Sequence, residues 1–432
     1  MSAVSSEFDI FAHRPVQASV LETTQVAYKA IAPVSQSDLE FVVPASSDTY
    51  IDPNIYLYVR CKLVKEGGTD FTDKTDHTTV TNNLLHSLFS VCDVQLNGVS
   101  ITQAGDLYYY RSYLETLLTY GTDAAATHLT NAYWYLDSGN MLACDPTIGS
   151  LSNNKGFIKR WELCKHSKEI QLYGRVHADI CNVPQLILPG VRLQIRFTKA
   201  KPAFYLMHKD ATSSAQLKFL DAQRLVNHVK PNPAILMAHN TVLEKGEHAR
   251  YNLTRVELKT FTVSKGTKSL SIDNAVVGSL PKRLTFAMLK NTDFIGSIES
   301  NPYMFRHYNM ESFALYVKGT QIPSEGLRLD MSHEKTSVMG YKTLFDGVGI
   351  NHSNTGLQVT HDMYINGYFM LVFDLTPDKA ASEGHTSHHE SGPIRIEARF
   401  AKELPDAVTC LLHLEYDNCV RVDFDRNVST DF

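Results

Sequence analysis

The stretches "HSLFSVCDVQLNGVSI" (His86–Ile101) and "HYNMESFALYVKGTQI" (His307–Ile322) lie 221 residues apart and carry one pattern. Their first His, Gly98 and Gly319, and the closing Ile101 and Ile322 coincide; Val94 and Leu96 fall on the apolar Leu315 and Val317. In the first stretch Cys92, Val94 and Leu96 alternate with polar residues, as a half-buried strand requires, and run into Asn97-Gly98. That dipeptide is preferred in a type I′ hairpin turn because both central residues need positive φ.

Two further matches keep the same order. "LYVRCKL" from Leu57 lies over "LTFAMLK" from Leu284 at an offset of 227, and "RFTKAKP" from Arg196 over "RFAKELP" from Arg399 at an offset of 203. Each lies on a strand-like run. Ile55, Leu57, Val59, Cys61 and Leu63 point one way in "IYLYVRCKL", and Val191, Leu193, Ile195 and Phe197 share a face in "VRLQIRF". Three ordered matches predict two copies of one β-sandwich. The falling offset predicts unequal connections: 98 residues separate Gly98 from Arg196, but only 80 separate Gly319 from Arg399. Added length of that kind costs little closure entropy in surface loops. Long, unequal crossovers suit a jelly roll rather than an up-and-down barrel. The expected fold is therefore all-β: two tandem eight-stranded jelly-roll β-sandwiches, a double jelly roll, with long loops and a few short helices. The expected organisation is an N-terminal arm (1–24), a first jelly roll (25–230), a linker (231–245) where Pro231 and Pro233 stop regular pairing, and a second jelly roll with C-terminal tail (246–432). The clearest helix is "LYYYRSYLETLLTYG", with Leu107, Tyr110, Leu114, Leu117 and Leu118 on one face, Asp106 placed to cap its start and Gly121 to close it.

Composition is that of an ordinary globular chain, 43% hydrophobic and 20% charged over 432 residues, long enough for two full cores. A net charge of −5 without any Lys/Arg-rich tract argues against nucleic-acid binding. No signal peptide is visible in "MSAVSSEFDIFAHRPVQ", and no run reaches the length of a membrane span. The seven cysteines (61, 92, 144, 164, 181, 410, 419) form no C-x-x-C and read as buried free thiols. Sequons at Asn252, Asn351 and Asn427 carry little weight without a secretory signal.

The chemistry to be weighed is in "FDLTPDKAASEGHTSHHESGPIRIEARF" (Phe373–Phe400), where His385, His388, His389 and Glu390 crowd together. A metal-binding cupin needs His-x-His, so that period-two alternation sends both imidazoles inward. His385 and His388 are three apart and would point to opposite faces, and Ser382, Gly384, Ser391, Gly392 and Pro393 around them are loop formers. The segment reads as a solvated loop, with a metal site or pH sensing by clustered histidines as its alternatives. No G-x-S-x-G, Walker, H-E-x-x-H or G-x-G-x-x-G motif occurs. Cys410 and Cys419, in adjacent strand-like runs, could face each other but read as core thiols. Asp417, Asp423 and Asp425 could bind calcium but read as a solvated strand end. No catalytic, cofactor or metal residue is assigned, and the chain is expected not to be an enzyme.

The order of "HSLFSVCDVQLNG", "YYYRSYLETLLTYG", "AYWYLDSGNM", "LPKRLTFAMLKNTDFIGSIESNPYMFRHYN", "GYFMLVFDLTPD" and "YDNCVRVDFDRNV" resembles the major capsid protein (hexon) of Polinton/Maverick elements and adintoviruses, from about Asp9 to near the end. Leu280–Tyr308 and Gly367–Asp378 carry most of the likeness. The resemblance implies a double-jelly-roll subunit of a homotrimeric, pseudo-hexameric capsomer in an icosahedral shell, a virion capsid location, and assembly inside the host cell. It also implies neighbouring capsomers and a penton or minor capsid protein at the vertices as partners, with no sequence-specific nucleic-acid binding. Protease and packaging-ATPase genes accompany such proteins, and copies are integrated in invertebrate genomes. On this reading the Phe373–Phe400 segment is one of the long strand connections, and the Leu107–Tyr120 helix lies at a base or interface. Two other classes remain on the residues alone. A bicupin-like metalloenzyme would lose metal and activity with His388→Ala, and a lectin-like binding module would be monomeric with a carbohydrate groove.

Overall fold

The computed structural model describes residues 10, 16–36, 38–72, 78–102, 105–139, 141–142, 154–209, 213, 215–333 and 336–431. Cys144 and most of the 1–15 segment lie outside them. The principal strands of the first half are β1 (Val20–Lys29), β2 (Asp38–Val43), β3 (Tyr56–Val64), β4 (Phe89–Leu96), β5 (Val99–Ser100), β6 (Ile170–Arg175), β7 (Leu193–Lys199) and β8 (Gln216–Pro231). Those of the second half are β9 (Ala249–Val263), β10 (Ser269–Val276), β11 (Arg283–Lys290), β12 (Met310–Val317), β13 (Thr320–Arg328), β14 (Met370–Asp374), β15 (Ile394–Phe400) and β16 (Val408–Val422).

Pairing is nested and antiparallel. In the first half β1 pairs β8, β2 pairs β7, β3 pairs β6 and β4 pairs β5. Sheet orders are β1-β8-β3-β6 and β2-β7-β4-β5. The second half repeats this strand for strand, as β9-β16-β11-β14 and β10-β15-β12-β13. A long hairpin folded over in this way, with the first strand against the last, is a jelly roll, and the chain contains two.

The hairpins that first suggested duplication are equivalent. Asn97 and Gly98 have φ of 47° and 84°, and Lys318 and Gly319 have φ of 51° and 83°. Each pair closes a two-residue turn of the I′ kind, in the second copy with a lysine in the left-handed region. The third match is shifted. Ile195 faces Val94 and Ile396 faces Leu315, so the offset on these strands is 201 rather than 203. A slip of two residues keeps the in/out alternation, so the shared R-F-x-K letters misplace the register without changing which face is buried.

The inward residues are those the alternation selects: Leu57, Val59, Cys61 and Leu63 are fully buried, as are Leu193, Ile195 and Phe197. Two other expectations differ. The helix α1 (Tyr108–Thr119) begins one residue too late for Asp106 to cap it; Leu107 holds the cap position with no side-chain bond, and Tyr108 is anchored instead through its hydroxyl, 2.9 Å from His86 Nδ1. Cys410 and Cys419 lie on one unbroken strand, β16, nine residues apart on opposite faces. They are about 30 Å apart at strand rise and cannot meet. The segment 231–245 contains a regular helix, Pro233–Glu244, with Pro233 in its first turn and the Asn232 side chain accepting from Ala234 N. The first strand begins at Val20, inside the segment read as an arm.

The extra length of the first copy lies between β5 and β6, residues 101–169, against 329–369 in the second. It is not only a surface excursion. α1 sends Tyr110, Tyr113, Leu114 and Leu117 into the core of the second sandwich, joined by Trp134. In return Tyr251, Leu253, Val420 and Val422 of the second half pack into the first core. The two sandwiches therefore interlock through shared hydrophobic cores. No helix among the described residues is long and apolar enough to cross a membrane.

Candidate functional site

The histidine loop is the exposed connection between β14 and β15, residues 375–393. His385 Nε2 is 2.8 Å from Asp378 Oδ2, with both side chains about half exposed. This hydrogen bond leads the causes that lower the Asp378 carboxyl below its usual range. Glu390 pairs with Lys318, its backbone carbonyl accepts from Leu280 N, and Ser387 N donates to Asp417 Oδ2. His388 and His389 face solvent. The histidines thus do not converge, and among the described residues no three His, Cys, Asp or Glu side chains are placed to hold a metal. Asp417 is occupied by Lys282 at 2.9 Å, and Asp423 accepts from the backbone and side chain of Asn427. A His385→Ala/His388→Ala/His389→Ala variant is expected to change unfolding free energy by no more than about 0.5 kcal/mol, since exposed sites away from packing rarely do more. Thermal melts with and without zinc test this; a zinc-dependent shift lost in the variant would contradict it.

The concentrated chemistry is at the seam between the sandwiches, which sequence reading did not single out. Asp137, fully buried, accepts from Arg160 Nη2 at 2.6 Å and Asn154 Nδ2 at 2.9 Å in its own half, and from Asn301 Nδ2 at 2.8 Å in the other. Its backbone carbonyl accepts from Tyr368 Oη at 2.8 Å. Arg160, also fully buried, donates further to the carbonyls of Val80 and Tyr135. Beside this knot, Tyr303 stacks on Tyr113 at 3.9 Å with an interplanar angle of 2°, and its hydroxyl lies 2.6 Å from Ser87 Oγ. Trp134 Nε1 donates to Gln358, whose Nε2 donates to the Tyr120 carbonyl.

A second polar group lines a cleft of about 480 Å³ at the same seam. Glu115 of α1 accepts from Arg111 Nε at 2.7 Å and sits 2.7 Å from His177 Nδ1. Burial opposes its charge, but Arg111 and the His177 hydrogen bond outweigh it and hold the carboxyl well below the usual range. Arg111 also pairs with the buried Asp179. Arg111, Glu115 and His177 are mutually paired, while Asp179 Oδ2 has no hydrogen-bond partner. These pairs lie within the first half, whereas the bonds of Asn301 and Tyr368 to Asp137 and of Tyr303 to Ser87 tie the two sandwiches together. No local motif marks it, because partners such as Asp137 and Asn301 are 164 residues apart.

Two interlocked jelly rolls with identical strand order in one chain define a double-jelly-roll protein. No family model matches the chain. In sequence it is similar to the uncharacterized Caenorhabditis elegans protein F54H12.2, at 21% identity over 407 residues, covering 91% of this chain and 93% of that protein. In structure it is similar to a chain of the Sputnik virophage (TM-score 0.62, 12% identity, 100% of this chain and 93% of that one). It is similar also to a chain of the PBCV-1 virus capsid (TM-score 0.62, 8% identity, 98% and 99%). The Faustovirus major capsid protein gives a TM-score of 0.61 at 8% identity, covering 95% and 91%. At these identities the likeness establishes the fold.

Proposed function

We propose that the chain is a structural major capsid protein, the hexon-like subunit of a double-stranded DNA virus or virus-like element of the Polinton/Maverick and adintovirus kind. The observation that carries this reading is the interlocking of two equivalent sandwiches into one unit. Three such chains around a threefold axis give six similar corners, the geometry a pseudo-hexameric capsomer needs, and a head-to-tail contact that closes at three is a ring. The fold shared end to end with capsid chains and the relative encoded in a nematode support it. An obligate ring interface would bury on the order of 2,000–5,000 Å². On this reading residues 25–230 and 246–432 are the two jelly rolls, 231–245 links them and 1–24 form an arm. Partners are further copies, neighbouring capsomers and a penton or minor capsid protein; the location is the virion capsid, after assembly inside the host cell. The role is structural, without cofactor or catalytic residue.

The test is solution mass by light scattering with negative-stain imaging of the same fraction. From a chain of 48.5 kDa, a homotrimer is expected at about 146 kDa with a hexagonal outline. A stable monomer at all concentrations would overturn the capsomer assignment.

A further inference from the structure

The cleft between the sandwiches contains a histidine without a partner. His413 lies in the middle of β16, is 1% exposed, and neither of its ring nitrogens has a hydrogen-bond partner. Thr285, its Cα partner on β11, carries a buried hydroxyl that is equally unpartnered. The nearest carboxylate oxygen, Glu415 Oε1, is 3.9 Å from His413 Nδ1, and Glu415 is already held by Arg283 at 2.7 Å. Glu115, facing it from α1, is committed to Arg111 and His177. Lys282 is committed to Asp417, and Arg175 and Glu383 complete the charged lining. Behind His177, its ring centroid 4.7 Å away and edge-on, lies a second buried histidine, His86, bonded through Nδ1 to the Tyr108 hydroxyl. His413 therefore stands on the second sandwich's wall of the seam, while His86 lies behind His177 within the first half, and neither is placed to gain a carboxylate of its own.

We propose that the cleft is an acid-sensitive latch: His413 keeps the seam closed as a neutral ring, His86 sits neutral behind the first sandwich's wall, and proton uptake by them loosens the seam. The two carboxylates that act on His413, Glu415 and Glu115, are already paired with Arg283 and Arg111, and those two guanidinium groups stand near enough to repel the new charge. Burial first, with those two guanidinium groups opposing Glu415 and Glu115, lowers the His413 pKa from the ordinary histidine value. Burial and then His177 hold His86 well below it, against a smaller pull from Glu115. In the unfolded chain both rings titrate near the ordinary value, about 6.5. Above that pH neither state binds the protons, and the pair is neutral in its effect. Below it the unfolded or opened seam binds protons that the closed seam refuses, so stability falls as pH drops, until the folded-state pKa values are passed. The proposal concerns the chain itself and stands whether or not the chain forms capsids.

The test uses the full chain at about pH 7.5 and about pH 5, the range in which histidine charge changes. The thermal midpoint of the wild type is expected to fall with acid, and amide exchange to rise first in α1 and the centre of β16. His413→Gln, neutral at both pH values, is expected to remove at least half of the fall and to suppress the early exchange. An identical fall in His413→Gln, or exchange that rises uniformly over both sandwiches, would overturn the latch. If that variant does not fold, exchange of the histidine C2 hydrogen in the wild type reads the His413 protonation state directly. Titration below free histidine is expected, and titration with free histidine overturns the proposal.

Discussion

Asp137→Ala is expected to cost about 3–5 kcal/mol of unfolding free energy, because breaking a buried ion pair leaves its partner charged and uncompensated. The partner is Arg160, fully buried, which would keep two backbone carbonyls and lose the only carboxylate it reaches among the described residues. The amide donors of Asn154 and Asn301 would lose their acceptor as well. Since Asn301 belongs to the second sandwich, the damage is not confined to the half that carries the substitution. Removing both charges, as in Asp137→Leu/Arg160→Met, is expected to recover most of the loss, because well-packed apolar replacements for a buried pair are often neutral or better. Urea unfolding of the single and double variants measures both. A single-variant loss below about 1 kcal/mol, the scale of an exposed pair, would show that water reaches the knot.

The strand content of this architecture is legible in the sequence wherever alternation decides a face. Leu57 to Leu63, Leu193 to Phe197 and the Asn97-Gly98 turn follow from period two and positive φ, and their equivalents in the second copy follow from the repeat. The apolar face of α1 is legible too, but not its destination. Periodicity says that Tyr110, Leu114 and Leu117 must be buried; it does not say that the cover is the other sandwich. The adjacent runs read for Cys410 and Cys419 are one strand because pairing with a strand of equal length carries it through: β9 runs beside β16 for its whole length, with Thr254 opposite Asp417 and Leu253 opposite Asn418. The seam was illegible for a different reason. Its residues are ordinary Asp, Asn, Arg, Tyr and His scattered over both halves, and only the docking of one sandwich on the other brings them together. The histidine loop misleads in the opposite sense: it is dense in sequence yet splayed in space, while the histidines with unusual surroundings, His86 and His413, have no other histidine near them in sequence.

Tyr303→Ala is expected to cost about 3–5 kcal/mol, the range for deleting a fully buried aromatic ring. The loss should fall on the coupling between the sandwiches more than on either one. Tyr303 belongs to the second half, but its ring is surrounded by Tyr110, Tyr113 and Phe204 of the first. Such aromatic pairs are worth about 0.5–1.5 kcal/mol each beyond burial. Its hydroxyl also satisfies Ser87, which already bonds the carbonyls of Asn82 and Asn83. In the wild type the shared cores should make unfolding a single cooperative transition, with calorimetric and van't Hoff enthalpies equal. Without the ring, the sandwich that keeps the more complete core should outlast the other, and the calorimetric trace should broaden or split. A variant that simply melts earlier in one sharp step would mean that the interlocked cores around α1, rather than this aromatic contact, carry the coupling. Leu117→Ala, which opens a cavity in the second core from a helix of the first half, would then be the substitution expected to split the transition, at a cost of about 2–5 kcal/mol. Between them the two variants separate a seam held at one contact from a seam held by exchange of whole elements, and only the second kind makes the two sandwiches a single mechanical body.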